Sequence, residues 1–287
     1  MKTSLRGLSS LYLAVFLLSL NGLFAKLIPL NAISITQLRS AIAAVIFLTF
    51  CRFHKRALRL DGLKQSLGIY SLGVLLGVHW VTFFQSMQVS TVAIGMLSLF
   101  SFPVVTILLE PLFAKERLKM RNAFAGVLVL LGIAVMVSHD LRDIQGSVVQ
   151  GVFWGVLSAL LFSLRNLIQK YHFSQVPSDR LMFHQVLAIA VMLLPFLDAQ
   201  NTFTLTGVNW TTLFLLGVLS TATAHTLLTY SLKLLPAKSV ALIGCLQPLI
   251  ASVLAWLVMS EMPQLNVAIG GLIILSVAMY ESVKKNS

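Results

Sequence analysis

The chain has 287 residues, of which 57% are apolar and 10% are charged, and its formal net charge is +12. A soluble domain of this size carries about 25% charged residues, so the composition excludes an ordinary soluble enzyme, a disordered chain and a nucleic-acid-binding module. The mean hydropathy of +0.90 predicts an integral membrane protein. The two cysteines, Cys51 and Cys245, lie in apolar stretches, which excludes a disulfide scaffold and a multi-cysteine metal site.

Ten segments of the chain are long and apolar enough to cross a membrane, since a helix that spans the hydrocarbon needs roughly 20 apolar residues. They lie at about 8–28, 32–52, 66–88, 91–113, 121–138, 147–169, 180–197, 210–232, 236–258 and 264–283. The apolar run of the first segment is too long for a secretory signal peptide. The predicted fold class is therefore an all-α integral membrane protein with ten transmembrane helices.

Lys and Arg residues are distributed unequally between the two sides of this topology. With the N-terminus placed in the cytoplasm, 17 of the 21 basic residues lie in cytoplasmic ends and loops, and only Arg142 lies in an outer loop. Cytoplasmic loops of membrane proteins carry an excess of Lys and Arg, so both termini are predicted to be cytoplasmic. The positive net charge follows from this topology and implies no acidic ligand and no nucleic acid.

The sequence repeats itself at a spacing of 145 residues. The matching positions are Pro103 with Pro248, Glu116 with Glu261, and Gly126 with Gly271. The spacing predicts two repeats, residues 1–140 with helices one to five and residues 145–287 with helices six to ten. An odd number of helices inverts the second repeat in the membrane. Inverted repeats support inward-open and outward-open states of one chain, although duplication could also serve only to build a larger bundle.

These marks resemble the two EamA-type repeats of the drug/metabolite transporter superfamily. The resemblance rests on a proline followed thirteen residues later by a glutamate in each half, on Gly126 and Gly271, and on Arg39 early in helix two. It implies an inner-membrane carrier of small organic solutes with a central cavity lined by helices 1, 3, 4, 6, 8 and 9. The second half departs from the pattern, because His184 stands near the register of Arg39.

The two prolines are the first candidate markers of a solute site. Pro103 and Pro248 lie near the middle of their predicted helices, where a proline frees the carbonyls of Leu99 and Gly244. Interrupted helices at matching positions of two halves point to a transporter site. The alternative is a packing kink whose carbonyls are satisfied by neighbouring side chains.

Two histidines near mid-membrane are the second candidate. Imidazole titrates near neutral pH and could carry a proton or hydrogen-bond a polar solute; alternatively, each histidine is a neutral core residue bonded to a helix carbonyl. Aromatic and amide side chains near them could contact a flat solute or simply pack. The predicted substrate-binding residues are His79, Trp80, Phe83, Gln85, His225, Tyr230 and Gln247.

Other buried or terminal charges are assigned structural roles. Arg39 lies about 10 Å deep at 1.5 Å per residue and needs a polar partner. Glu116 and Glu261 lie at helix ends, in positions suited to a structural ion pair or a gate contact. Lys26 and Arg165 lie near helix ends, where long side chains reach polar surroundings, and Arg165 could alternatively belong to an inner vestibule.

The resulting hypothesis is a secondary-active transporter in the bacterial inner membrane, not an enzyme. It would move a small organic metabolite, such as an amino acid or a derivative, by alternating access, with export expected and with histidines available for proton coupling. The alternatives are an importer of a vitamin or flat aromatic solute, for example riboflavin, and a membrane-embedded enzyme. No catalytic motif, metal site or cofactor is predicted. The predicted partners are the solute and the bilayer, and monomer and homodimer both stay open.

Overall fold

A computed structural model of the chain describes residues 2–115, 117, 120–136, 138, 146–235 and 243–284. The helices of the first half are α1 (Lys2–Ser19), α2 (Asn21–Leu27), α3 (Ala32–Phe53), α4 (Gly62–Val89), α5 (Val92–Leu99), α6 (Phe102–Ala114) and α7 (Met120–Met136). The helices of the second half are α8 (Ser147–His172), α9 (Ser178–Met192), α10 (Ala199–Phe203), α11 (Gly207–Leu215), α12 (Ala224–Leu234), α13 (Leu246–Met259) and α14 (Leu265–Lys284). A 3-10 turn (Leu194–Phe196) follows α9, and a π-helical segment (Leu216–Thr223) joins α11 to α12. All regular structure in the described ranges is helical, so the predicted fold class is confirmed at that level.

Six helical stretches are long and apolar enough to span a bilayer. They are Arg6–Leu27, Ala32–Phe53, Gly62–Val89, Val92–Ala114, Ser147–His172 and Gly207–Leu228, and shorter apolar helices lie at Phe124–Val135, Leu246–Met259 and Leu265–Val277. The remaining predicted segment, at about 180–197, corresponds to α9, which has 15 residues. At 1.5 Å per residue this helix is about 22 Å long, against a hydrocarbon thickness of about 30 Å. The count of ten membrane helices therefore stays a prediction.

Several segments that the sequence predicts as continuous helices are interrupted. The first breaks between α1 and α2 at Leu20, and the fourth breaks between α5 and α6 at Phe100 and Ser101. Pro103 lies in the first turn of α6, and Pro248 lies in the first turn of α13. A proline in a first turn removes no intrahelical hydrogen bond. The structure thus places both prolines at helix starts rather than in helix interiors; residues 236–242 of the predicted ninth segment lie outside the described residues.

The two halves pack by exchanging partners. The helix α1 packs on α12, and α4 packs on α8. Counted as the predicted membrane segments, the first segment of each half therefore contacts the third segment of the other half. The pairs α3–α9, α5–α13 and α7–α14 join equivalent helices of the two halves. A twofold axis between two copies of one unit produces this pattern. It follows that the boundary between the halves runs through the centre of the bundle.

The outer surface of the bundle is apolar over large areas. Large exposed hydrophobic side chains include Tyr12, Leu13 and Phe16 on α1, Phe124, Leu130 and Leu131 on α7, and Trp256 and Leu257 on α13. Soluble monomers rarely expose apolar patches of this extent. These faces therefore suit contact with lipid.

Glycines allow close helix contacts along the boundary between the halves. Gly73 of α4 faces α9, where an added Cβ would lie 3.0 Å from the backbone oxygen of Gln185. Gly155 of α8 faces α5 and α4: an added Cβ would collide with the Cβ of Ser98 on α5 and lie 3.1 Å from Ser86 Oγ on α4. Small residues let helix backbones approach closely in membranes. The contacts of α4 with α9 and of α8 with α5 therefore depend on these positions.

Replacing Gly155 with Leu should lower the melting temperature of the purified protein in detergent. The added side chain would overpack the contact with Ser98, and overpacking typically costs about 1–3 kcal/mol. Gly207→Leu is the matched control, because no atom lies within 4 Å of a Cβ built there. Equal melting temperatures for the two variants would contradict the close approach of α8 to α5.

Candidate functional site

A cavity of about 520 Å³ lies between α3 of the first half and α9, the π segment and α12 of the second half. Its lining residues are Ile46, Phe47, Phe50, Arg56, Pro177, Ser178, Asp179, Met182, Ala222, Thr223, His225, Thr226, Leu227 and Tyr230. The cavity runs from the end of α3 and the start of α9 to Ala222, near the middle of the α11–α12 stretch. The volume and the mostly apolar walls are typical of a site for a small organic molecule.

An ion pair between the two halves lies at the mouth of the cavity. Arg56 Nη1, in the loop after α3, donates to Asp179 Oδ2 of α9 over 2.6 Å. Partial burial raises the pKa of the Asp179 carboxyl, but the hydrogen bond from Arg56, backbone hydrogen bonds at the helix start and the charge of Arg56 together hold that pKa below its ordinary value. Arg180 Nε donates to the carbonyl of Ala57 (3.0 Å), and His184 Nε2 lies 2.7 Å from the carbonyl of Leu58. These contacts fasten the α3–α4 loop to the start of α9.

Two of the predicted substrate-binding residues line the cavity. His225 and Tyr230 both belong to α12 and contribute to its wall. Behind His225 lies Trp80 of α4, whose ring centroid is 5.9 Å from that of the imidazole. Trp80 is buried and does not itself line the cavity. The histidine therefore lies where the two halves meet, between the open space and the packed core.

His79 lies away from the cavity in the contact between α4 and α8. Its Nδ1 is 2.7 Å from Ser158 Oγ, and Ser158 Oγ donates to the carbonyl of His79 over 3.0 Å. The ring stacks on Phe162 at a centroid distance of 4.6 Å. This arrangement corresponds to the alternative in which the histidine is a buried core residue with hydrogen-bonded partners.

The other predicted binding residues are spread through the bundle. Phe83 is buried beside Phe84, with ring centroids 6.0 Å apart. Gln85 and Gln247 are half-buried and form no hydrogen bond with the described residues. None of these three side chains lines the cavity, so their role in solute binding stays a prediction.

Arg39 is buried between the halves, with 1% of its surface exposed. Its Nε donates to Thr221 Oγ1 over 2.9 Å, and its guanidinium lies over the rings of Trp80 (4.5 Å) and Phe84 (5.1 Å). Thr221 in turn donates to the carbonyl of Leu216, five residues back, as π-helical geometry allows. Arg39 thus has the polar partner that its depth requires, and this partner is neutral.

Arg165 lies deeper in its helix than the sequence predicts. The sequence predicts a position near a helix end, but α8 continues to His172 and the side chain of Arg165 is only 8% exposed. Its Nη2 and Nε donate to Gln185 Oε1 over 2.5 and 3.1 Å, and its Nη1 donates to Asn166 Oδ1 over 3.0 Å. The sequence signal for this cluster is the adjacent Arg165–Asn166 pair, with Gln169 one helical turn further on.

A second ion pair between the halves closes the opposite end of the bundle. Lys26 Nζ of α2 lies 3.2 Å from Glu261 Oε1, which follows α13, and it also donates to the carbonyl of Ser90 over 2.6 Å. Glu261 Oε2 accepts from the backbone N–H of Val92 over 3.0 Å. Two donors of the first half, Lys26 Nζ and the Val92 N–H, thereby converge on one carboxylate of the second half. Glu116, the repeat counterpart of Glu261, lies outside the described residues.

Comparison with known proteins gives the family. A profile of the EamA-like transporter family matches the chain twice, at residues 5–138 and 149–280. The chain belongs to the EamA-like transporter family. The resemblance to EamA-type carriers of the drug/metabolite transporter superfamily is thereby confirmed, and the chain is a membrane transporter.

Individual relatives of this EamA-like transporter are distant. The chain is 25% identical to the uncharacterised transporter YxxF of Bacillus subtilis over 255 residues, 87% of this chain and 80% of that protein. It is 22% identical to an S-adenosylmethionine uptake transporter of Rickettsia felis over 98% of this chain and 93% of the relative. One crystal structure of another protein aligns with 99% of this chain and over 98% of its own chain, with a TM-score of 0.65 and 18% sequence identity. This last likeness supports the fold.

Replacing Thr221 with Val should destabilise this EamA-like transporter, because it removes the hydrogen bond to the buried guanidinium of Arg39. A hydrogen bond to a charged group is worth about 1.5–3 kcal/mol, and thermal unfolding in detergent measures the loss. Thr212→Val is the matched control, since that hydroxyl bonds only within its exposed helix turn. A melting temperature of Thr221→Val equal to that of the control would show that Arg39 is held by its aromatic contacts alone.

Proposed function

We propose that the chain is a secondary carrier that moves a small organic metabolite across the bacterial inner membrane by alternating access. The observation that carries the proposal is a cavity between the two halves that reaches one end of the bundle, while the Lys26–Glu261 pair joins the halves at the other end. A carrier must present one site to each side in turn, and its repeats must move against each other to do so. Family membership supports transport rather than catalysis.

The orientation follows from the basic residues at the mouth of the cavity. The loop of residues 54–61 carries Lys55, Arg56 and Arg59, and positively charged loops favour the cytoplasm. On this assignment both termini are cytoplasmic, the described state is open inward, and the Lys26–Glu261 pair closes the outer side.

A further ion pair joins the halves at the inner end, and only its lysine has a repeat counterpart in the outer pair. Lys170 Nζ of α8 lies 2.5 Å from Glu110 Oε1 of α6, and Lys170 follows Lys26 by nearly one repeat length. Both ion pairs therefore connect the first half to the second. Outward opening would break the Lys26–Glu261 pair, because its two residues belong to halves that must separate there.

The chemistry of the cavity favours an amino acid or a derivative as solute. Phe47, Phe50 and Tyr230 supply aromatic surface, and His225 supplies an imidazole whose two ring nitrogens can hydrogen-bond a polar group of the solute. Export is the proposed net direction. Import of S-adenosylmethionine is the second candidate, because two relatives are named as uptake transporters of that compound.

Flux assays in proteoliposomes test the carrier proposal. A panel of radiolabelled amino acids, riboflavin and S-adenosylmethionine, with and without a pH gradient, should give flux of at least one solute above protein-free vesicles. Replacing His225 or Tyr230 with Ala should lower that flux at least tenfold, and Gln247→Ala should lower it if that side chain faces the solute in another state. Thr212→Val, on an exposed helix face, is the control. Flux unchanged in both His225→Ala and Tyr230→Ala would exclude the cavity as the site.

Cross-linking tests the role of the outer ion pair. In a variant with Cys51 and Cys245 replaced by Ala, a short bifunctional thiol reagent that joins Lys26→Cys to Glu261→Cys should stop flux, and reduction should restore it. The reagent should leave flux intact when it joins Lys26→Cys to Ser90→Cys, because both positions belong to the first half. Continued flux with the first pair joined would contradict separation of the halves at this end.

A further inference from the structure

The interior of the bundle carries positive charge without a neutralising carboxylate among the described residues. Arg39 and Arg165 are both buried, and the partners found for them are a hydroxyl, two side-chain amides, a thioether and aromatic rings. Buried charges in membrane proteins are costly and normally pair with one another or mark a solute pathway. Two like charges cannot neutralise each other, so the two arginines are candidates for groups that face a solute.

The described carboxylates with placed side chains all lie near helix ends or in loops. Asp61 lies 3.9 Å from Arg180, Glu110 pairs with Lys170, Asp179 with Arg56, and Glu261 with Lys26, while Asp198 accepts from Asn201. Each of these acids already has a nearby partner of its own. A negative group that reaches Arg165 in the described state would therefore come from outside this part of the chain.

Gln185 provides a second, independent sign of an anion site. The residue is 0% exposed, and its Oε1 accepts both hydrogen bonds from Arg165. This fixes the amide, because the reversed orientation would set its N–H donors against the guanidinium. Its Nε2 is buried without a hydrogen-bond partner, although buried donors are normally paired. An unused donor beside a guanidinium fits a carboxylate, which accepts through two oxygens.

Met182 connects this cluster to the cavity. Its Sδ lies 3.7 Å from Arg165 Nη2, and the same side chain lines the cavity. Met182 thus stands between the cavity and the guanidinium, and methionine is unbranched and has three rotatable bonds. The apolar walls of the cavity, on the side of Met182 away from Arg165, suit the organic body of a solute.

We propose that Arg165 and Gln185 bind the carboxylate of the transported solute, with Met182 as the movable wall between them and the cavity. The substrate class is thus an organic carboxylate with an apolar or aromatic body. This inference rests on the carrier function proposed above, and it names the part of the solute that the protein recognises.

Thermal-shift measurements on the detergent-solubilised protein test the subsite. The probes are L-phenylalanine, L-tryptophan, L-methionine and indole-3-acetate, each beside its primary amide, together with S-adenosylmethionine. At least one carboxylate should raise the melting temperature while its amide does not. Arg165→Gln should weaken that binding about 10- to 100-fold, since charge-assisted hydrogen bonds carry it, and Arg165→Lys should retain part of it.

Gln185→Glu is the decisive variant. The new carboxylate would pair with Arg165 internally, so the variant should fold, melt at or above the wild-type temperature, and lose binding of the carboxylate probe. Gln150→Glu makes the same chemical change at an exposed position of α8 and should bind as the wild type does. Wild-type binding by Gln185→Glu, equal binding of acid and amide, or no shift with any carboxylate would overturn the subsite.

The failure of this inference is distinguishable from failure of the carrier proposal. If proteoliposomes with Gln185→Glu still transport a neutral solute, the carrier proposal stands and the carboxylate subsite is wrong. If Gln185→Glu loses carboxylate binding but wild-type vesicles transport none of the bound probes, the binding subsite stands and the carrier proposal is wrong.

Discussion

The exchange of helices between the halves is the constraint on which the rest of the structure depends. Because α1 packs mainly on α12 and α4 packs mainly on α8, the first and third membrane segments of each half are buried largely against the other half. The cavity, the aromatic contact between Trp80 and His225, and the Lys26–Glu261 pair all lie on this boundary. A relative movement of the halves changes all of them together.

Much of the fold could be predicted from the sequence because membrane insertion imposes strong patterns. Long apolar runs predict helices, basic loops predict orientation, and rare residues at a fixed spacing predict the repeat. The interruption at Leu20 could not be predicted, because no proline marks it in this apolar run. Pro103 did mark a break, but the turn precedes it.

The candidate site was harder to predict, and for a physical reason. In a soluble helix the polar face indicates which side meets water, whereas a buried membrane helix is apolar on every side. The sequence therefore identified His79 and His225 equally, although only His225 lines the cavity and His79 bonds to Ser158. The predicted position of Arg165 came from its distance along the chain, whereas its hydrogen-bond partner Gln185 comes from another helix, α9.

The π segment between α11 and α12 determines how α12 is rotated about the helix axis. An α-helix turns by about 100° per residue, so a single added residue in the Leu216–Thr223 stretch rotates the rest of the helix by roughly that angle. Thr221 holds the widened turn by its bond to the carbonyl of Leu216. Shortening this stretch by one residue would turn the imidazole of His225 away from the cavity wall without any substitution at His225 itself. The length of the chain at this point therefore determines which side chains of α12 line the cavity.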